Sequence, residues 1–241
     1  VRDSCRDDFK YYQWKNYMNQ WLFPICNFAF KRTLDIFSDF NVEGKENIPT
    51  VGPVLVVSNH MSNIDPAIVA AVITRKPMFL AKKEIFQNKL FDFLLRSYGA
   101  YPVDRGRADI RALNWAEKQL NLGRTIIMFP EGTRSKTGGL LDGKLGVAKL
   151  AADTGATIVP IGIAGSESLQ NVLKVLAPVS KLRIKIGNSF KINKDKCIAR
   201  EAYKSATKEI MLKIALQLPD SYRGQYKNAE NFPFDYITDI K

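Results

Sequence analysis

The stretch PVLVVSNHMSNIDPAIVAAVIT, residues 53–74, decides the fold. Pro53 to Val57 is apolar and β-branched, the composition of a buried strand. Asp65 followed by Pro66 reads as a helix N-cap with proline at the first helical position, opening an apolar helix from Ala67 to about Thr74. Strand, short turn and helix in immediate succession are the building unit of an α/β sheet. The turn carries His60, the only histidine in the chain, with Asp65 five residues later. Strand-end loops suit reactive groups because the sheet holds them rigid. If the turn brings Asp65 back toward the ring, its carboxylate holds the Nδ1 proton and leaves Nε2 free as a base, as in a catalytic triad without its serine. A lone His-x4-Asp is more often structural than catalytic, so the flanking sequence has to decide.

Working outward, short apolar runs alternate with helical ones. Strands are predicted near Asn41–Gly44, Pro53–Val57, Pro77–Ala81, Ala100–Val103, Thr125–Phe129, Thr157–Ile163 and Lys181–Ile186. Helices are predicted near Pro66–Thr74, Asn88–Tyr98, Ala108–Leu122, Lys144–Thr154 and Ala199–Leu218. This pattern predicts an α/β fold with a mostly parallel mixed sheet flanked by helices and reactive loops at the strand ends. Residues Lys181 to Ile186 alternate charged and apolar, which predicts an edge strand with one wet face. The tail from Pro219 is polar, spotted with aromatics, and predicts no element.

The first 38 residues differ in composition from the catalytic-looking unit, 39–241. Phe9, Tyr11, Tyr12, Trp14, Tyr17, Trp21 and Phe23 are interleaved with Lys10 and Lys15, and Phe28, Phe30 and Phe37 with Lys31 and Arg32. Pro24 divides the segment into two helical runs, about Asp7–Leu22 and Ile25–Phe37, a predicted two-helix hairpin. Aromatics favour the water–lipid boundary and neighbouring cations meet anionic head groups, so the hairpin reads as a membrane-interface anchor. The competing reading packs it on the domain's own core. The longest apolar run, Trp21 to Phe30, is too short to span a bilayer, which needs roughly 20 residues.

The chain has 36 Lys and Arg against 24 Asp and Glu, a formal charge of +12. Its long-range field favours anionic partners: nucleic acid, an anionic membrane or a phosphorylated substrate. Three cysteines, Cys5, Cys26 and Cys197, show neither CxxC nor metal-like spacing, which argues against a disulfide framework or zinc site and for a reducing, cytoplasmic-side location.

Three further strand ends carry chemistry. TIIMFPEGTRSKTGG, residues 125–139, ends a strand in Pro130, Glu131, Gly132, Thr133 and Arg134. Glu131 and Arg134 resist burial without partners, so the loop should border a polar cavity or close an internal ion pair. A glycine that permits close approach, hydroxyls and an arginine together can hold a phosphate. The order GxxxxGK[ST] is absent, which excludes a Walker loop. GAYPVDRGRAD, residues 99–109, offers Arg105 as a second arm on the same anion. FLAKKE ends a strand in Lys82 and Lys83. In a mostly parallel sheet these groups fall on one edge with His60 and Asp65.

Together the blocks NHMSNID, GAYPVDRG, FPEGTRS and IVPIGIAG, in that order over about residues 59–165, resemble the four motifs of the glycerolipid acyltransferase family, most closely the bacterial 1-acyl-sn-glycerol-3-phosphate acyltransferases. VEGKENIP and GKLGVAKLA are similar to the family's flanking segments. Residue 143 is glycine where many members carry an aromatic before the lysine, which leaves Lys144 unassigned.

The resemblance implies a glycerol-3-phosphate acyltransferase-like fold and direct acyl transfer without a covalent enzyme intermediate. His60 would deprotonate the 2-hydroxyl of lysophosphatidic acid, with Asp65 orienting the imidazole. Arg105 and Arg134, with Lys82, would bind the acceptor's phosphate; Glu131, Gly132 and Thr133 would shape the glycerol pocket; Pro160 and Ile161 would line the acyl-donor side. No metal or redox cofactor is implied, since the acyl group arrives activated as a thioester of acyl carrier protein or coenzyme A. The implied setting is the cytoplasmic face of a cell inner membrane, with the protein peripheral or monotopic on anionic lipid. Glycerol 3-phosphate or another lysophospholipid is an alternative acceptor, and a non-enzymatic lipid-binding protein is an alternative of another class. Nucleic acid is not among the implied partners, because that reading leaves FPEGTRS unexplained.

Overall fold

The computed structural model describes residues 22–104 and 109–240. The first run of the expected hairpin and Arg105 therefore lie outside the described residues. A helix over 22–37 (α1) leads into β1 (Asp39–Glu43), β2 (Val54–Ser58), α2 (Asp65–Val72), β3 (Pro77–Lys82), α3 (Lys89–Tyr98), β4 (Ala100–Val103) and α4 (Ile110–Asn121). The chain continues through β5 (Thr125–Met128), α5 (Gly146–Thr154), β6 (Thr157–Ala164), β7 (Lys181–Ile186), β8 (Phe190–Ile192), α6 (Arg200–Ala215) and β9 (Ile237–Asp239).

All the strands join one sheet in the order β1-β7-β6-β2-β5-β3-β4, with β8 on β6 and β9 on β8. β6, β2, β5, β3 and β4 run parallel to their neighbours. β7 turns back antiparallel to β6, and β1 follows it in parallel. β2 occupies the middle, and its five residues are buried, as a continuous apolar run covered on both faces must be. Leu55 and Val57 point into one apolar core beneath α4, α5 and α6; Val54 and Val56 point into the other, beneath α1 and α2.

Two sequence expectations are corrected here. The strand Lys181–Ile186 lies between β1 and β6, not at an edge. Its alternation reports that the face bearing Lys181, Arg183 and Lys185 is uncovered, while Leu182, Ile184 and Ile186 fill the core on the other. The tail beyond Pro219 also has structure: β9 extends the sheet, and the buried carboxylate of Glu209 in α6 accepts from the backbone N–H groups of Asp235 and Tyr236, each at 2.9 Å.

Pro24 lies within α1, which runs through it over 22–37. One face of α1 packs on the domain through Phe23, Phe30 and Leu34. Asn27 ties it down by accepting from the Tyr98 hydroxyl (2.8 Å) and donating to Ala70 O (3.3 Å), and the Thr33 hydroxyl donates to Val175 O (2.8 Å). Ile25, Phe28, Ile36 and Phe37 remain exposed on the opposite face.

The fit of α6 against the sheet depends on glycine. A Cβ at Gly162 in β6 would stand 2.3 Å from Gln217 O, just past the end of α6. Gly162→Ala should destabilise the fold by about 1–3 kcal/mol through overpacking. The check is the midpoint of urea unfolding, and an unchanged midpoint would contradict so close an approach.

Candidate active site

β2, β5, β3 and β4 are parallel, so their carboxyl ends share one edge, and the motif residues follow those ends. The loop after β2 is shaped by its own side chains. Asn59 continues the strand pairing beyond Ser58: its amide donates to Ile163 O (2.9 Å) and its carbonyl accepts from Ile163 N–H (2.8 Å). This substitutes a side chain for the next rung of the β2–β6 ladder and aims His60 out of the sheet.

Asp65 is not the N-cap that the sequence suggested. Ile64 holds that position without a side-chain cap, and Asp65 is the first residue of α2. Its carboxylate turns instead toward the loop, where Oδ2 accepts from His60 Nδ1 (2.9 Å) and from the N–H groups of Met61 (2.6 Å) and Ser62 (2.7 Å). Two backbone donors fix the carboxylate before the imidazole meets it. Oδ1 is buried and has no hydrogen-bond partner among the described residues. With Nδ1 donating to Asp65, the His60 lone pair lies on Nε2. The ring stacks on Phe129 with centroids 4.2 Å apart and planes at 24°, so its orientation is set from a second side.

Glu131 has a different task from its neighbours. It is buried, and both oxygens are taken by backbone: Oε1 accepts from His60 N–H (2.8 Å) and Oε2 from Leu141 N–H (2.9 Å). The His60 carbonyl in turn accepts from Ser135 N–H (2.8 Å). The FPEGTRS loop thus clasps the backbone of the histidine on both sides. The Glu131–Arg134 ion pair that one reading of the sequence offered is absent. Arg134 points outward and donates to Gln170 Oε1 (2.9 Å), while Gln170 Nε2 donates to Met61 O (2.7 Å). Gln170 therefore moors the guanidinium to the His60–Asp65 turn. No motif signalled Gln170 or the strand-extending use of Asn59.

A cavity of about 580 Å³ opens beside His60, lined mainly by apolar groups including Leu80, Val103, Leu113, Met128, Phe129 and Val147. Gly132 and Lys144 also border it. Gly132 adopts φ 69°, a left-handed conformation suited to glycine, and the Lys144 aliphatic stem lies over it. Thr133 is exposed. Lys82 ends β3 in solvent, 3.9 Å from Glu84, whereas its neighbour Lys83 pairs with Asp104 at 2.7 Å. Pro160 and Ile161 are buried in the middle of β6, beside Val57 and Ser58, and neither borders this cavity. Their registered place is the sheet interior, because β6 is covered on both faces there.

These features define a class: an α/β protein with an oriented imidazole base at its strand ends, above an apolar cavity and beside a moored arginine. The chain belongs to the acyltransferase family, whose profile matches residues 39–164. It is similar to the chloroplastic 1-acyl-sn-glycerol-3-phosphate acyltransferase of Arabidopsis thaliana, 34% identical over 133 residues, covering 54% of this chain and 37% of that one. The 1-acyl-sn-glycerol-3-phosphate acyltransferase of Bacillus subtilis is 28% identical over 154 residues, 64% of this chain and 76% of that one. The crystal structure of the 1-acyl-sn-glycerophosphate (LPA) acyltransferase PlsC from Thermotoga maritima superposes with a TM-score of 0.64 at 26% identity, covering 81% of this chain and 78% of that one. The chain spans less than two-fifths of the length of the chloroplastic relatives from Arabidopsis thaliana and Brassica napus.

Burial pushes the Glu131 carboxyl up to about 7 from an ordinary 4.5, against the two backbone donors that favour its ionised form. A folded-state value above the unfolded one means that folding takes up a proton between these limits. The contribution to stability is full below pH 4.5 and is lost as the pH rises toward 7, by on the order of 3 kcal/mol. Unfolding free energies measured from pH 4.5 to 7.5 should fall more steeply in the wild type than in Glu131→Gln. Parallel profiles would show that Glu131 is ionised throughout.

Proposed function

We propose that the chain transfers a fatty acyl group from an acyl thioester to the 2-hydroxyl of 1-acyl-sn-glycerol 3-phosphate, forming phosphatidic acid. The observation that carries this reading is the His60–Asp65 pair, ring-stacked and backbone-clasped, with the open nitrogen beside an apolar cavity. The names of the similar proteins supply the acceptor.

His60 Nε2 takes the proton of the bound hydroxyl as that oxygen attacks the thioester carbonyl carbon. The tetrahedral intermediate collapses with cleavage of the C–S bond, and the imidazolium returns its proton to the departing thiolate. Asp65 steadies the imidazolium through the Nδ1 hydrogen bond without accepting its proton. A thioester is already activated, so a positioned alcohol and a base suffice.

Arg134 holds the acceptor's phosphate by charge-assisted hydrogen bonds, its guanidinium kept near the base by Gln170. Arg105 supplies a second arm, and Lys82, exposed at the end of β3, adds charge. Gly132 and Thr133 shape the glycerol site, with Glu131 acting through the backbone it clasps. The apolar cavity takes acyl chain, so a donor-side role for Pro160 and Ile161 is indirect, through the strand that carries β2.

Membrane lipid reaches this site across the face that carries α1. Exposed Ile25, Phe28, Ile36 and Phe37 of α1, Leu90, Phe91, Phe93 and Leu94 of α3, and Leu173, Leu176 and Val179 near the short turn Val172–Leu176 share that side of the molecule. The Tyr98–Asn27 and Thr33–Val175 bonds hold α1 against both neighbours. Apolar surface of this extent, flanked by Lys31, Arg32, Lys89 and Lys174, fits an anionic bilayer. This surface supports a reading of peripheral attachment at a cytoplasmic membrane face. Among the described residues no helix is long and apolar enough to cross a membrane.

His60→Ala should lower turnover about 100- to 10,000-fold while co-sedimentation with anionic vesicles stays unchanged. Retained turnover would remove His60 from the chemistry. Faster acylation of glycerol 3-phosphate than of lysophosphatidic acid by the wild type would replace the acceptor. Arg134→Ala should raise the Michaelis constant for lysophosphatidic acid about tenfold or more and leave that for the donor nearly constant. The reverse pattern would put Arg134 on the donor.

A further inference from the structure

A second concavity, of about 870 Å³, lies between the first three turns of α6, the loop 142–145 and the tail around Tyr226 and Phe232. Of the sequence blocks described above only the flanking segment GKLGVAKLA contributes to it, through Gly143 and Leu145. Arg200, Lys204 and Lys208 recur every four residues and so stand on one face of α6, all three exposed. Lys208 sits 4.8 Å above the Phe232 ring; Arg200 and Lys204 form no ion pair among the described residues. Two carboxylates are present. Asp142 accepts from the Gln225 amide and, at 3.4 Å, from the Tyr226 hydroxyl, and Glu201 is exposed beside Arg200. Three cations against these two leave the groove net positive.

Its position matters more than its charge. Leu145 lines both this groove and the apolar cavity beside His60, so a single loop separates the two spaces. The same loop is anchored to the catalytic centre, since Leu141 N–H donates to Glu131 and Lys144 N–H to Pro130 O (2.8 Å). Gly143 explains how α6 comes so close. A Cβ there would stand 2.8 Å from both Thr207 Cγ2 and Met211 Cγ, so an aromatic at this position would push α6 away. With 1.5 Å of rise per residue, Arg200 lies about 10 Å along the helix from that contact. Finally, α6 covers the opposite face of the sheet from α1, so the groove faces away from the apolar surface assigned to lipid.

An acyl thioester donor has these demands: an acyl chain in an apolar cavity, a thioester at the base, and a flexible pantetheine arm ending in phosphate that stays in water. We infer that the α6 groove receives the phosphate-bearing end of the pantetheine arm, with Arg200 and Lys204 as its principal cations. The inference rests on the acyl-transfer reading and assigns it a donor site. Coenzyme A and acyl carrier protein share this chemistry, one through its nucleotide diphosphate and the other through a phosphoserine ester.

The test measures kcat/KM for three donors bearing the same acyl chain: the coenzyme A thioester, the carrier-protein thioester and the N-acetylcysteamine thioester, which ends before any phosphate. In Arg200→Ala/Lys204→Ala, the ratio of the phosphorylated to the N-acetylcysteamine donor should fall about tenfold or more, as expected for lost charge-assisted bonds. Whichever phosphorylated donor shows the fall identifies the source. Lys181→Ala/Lys185→Ala, an equal loss of charge on the far strand β7, should leave the ratio intact. An unchanged ratio in the α6 variant, or an equal fall in both variants, overturns the groove while leaving acyl transfer standing. A wild type that transfers from none of the three donors overturns acyl transfer and the groove with it.

Discussion

The buried carboxylate of Glu131 is the constraint on which the site depends. One oxygen holds the backbone of His60 and the other that of Leu141, so the loops after β2 and β5 and the segment leading to α5 meet at one group. A carboxylate accepts at two oxygens from donors pointing in different directions, which no hydroxyl or amide does with both atoms. Remove it and two backbone N–H groups lose their partner at once, inside the protein where each loss is costly. Glu209 repeats the device in α6, where it gathers the N–H groups of Asp235 and Tyr236 and pins the tail.

Held in this way, the imidazole needs little further ordering. Asp65 fixes its tautomer, Phe129 its plane, and Asn59 the direction in which the loop leaves the sheet. The sheet then separates two surfaces of different chemistry. Apolar α1 and α3 surface lies on one side, the cationic α6 groove on the other, and the base at the strand ends between them. Such a division suits a reaction joining a lipid to a water-soluble carrier.

Much of this was legible in the chain. The β2 run, its histidine and the strand ends that follow in parallel could be placed because buried parallel strands are continuous apolar runs and their loops carry the polar exceptions. Where the reading missed, partners that no local pattern announces were responsible. Asp65 looked like a cap because Asp-Pro usually is one, yet His60, Met61 and Ser62 had the stronger claim on its carboxylate. The alternation of Lys181–Ile186 correctly gave one wet face, but β1, far away in sequence, closes the edge. Gln170 carries no motif at all and is recruited only by its distance from Met61 and Arg134.

By itself, then, the sequence determined the βα order, the pairing of one base with one carboxylate, and the family, because periodicity and local turn chemistry act over a few residues. Tertiary structure alone decided which polar groups serve chemistry and which serve architecture. Glu131 and Arg134, three residues apart in one motif, part company: the first turns inward to backbone donors and the second outward to Gln170. Burial makes that choice, since a charge leaves water only where the fold brings donors to meet it.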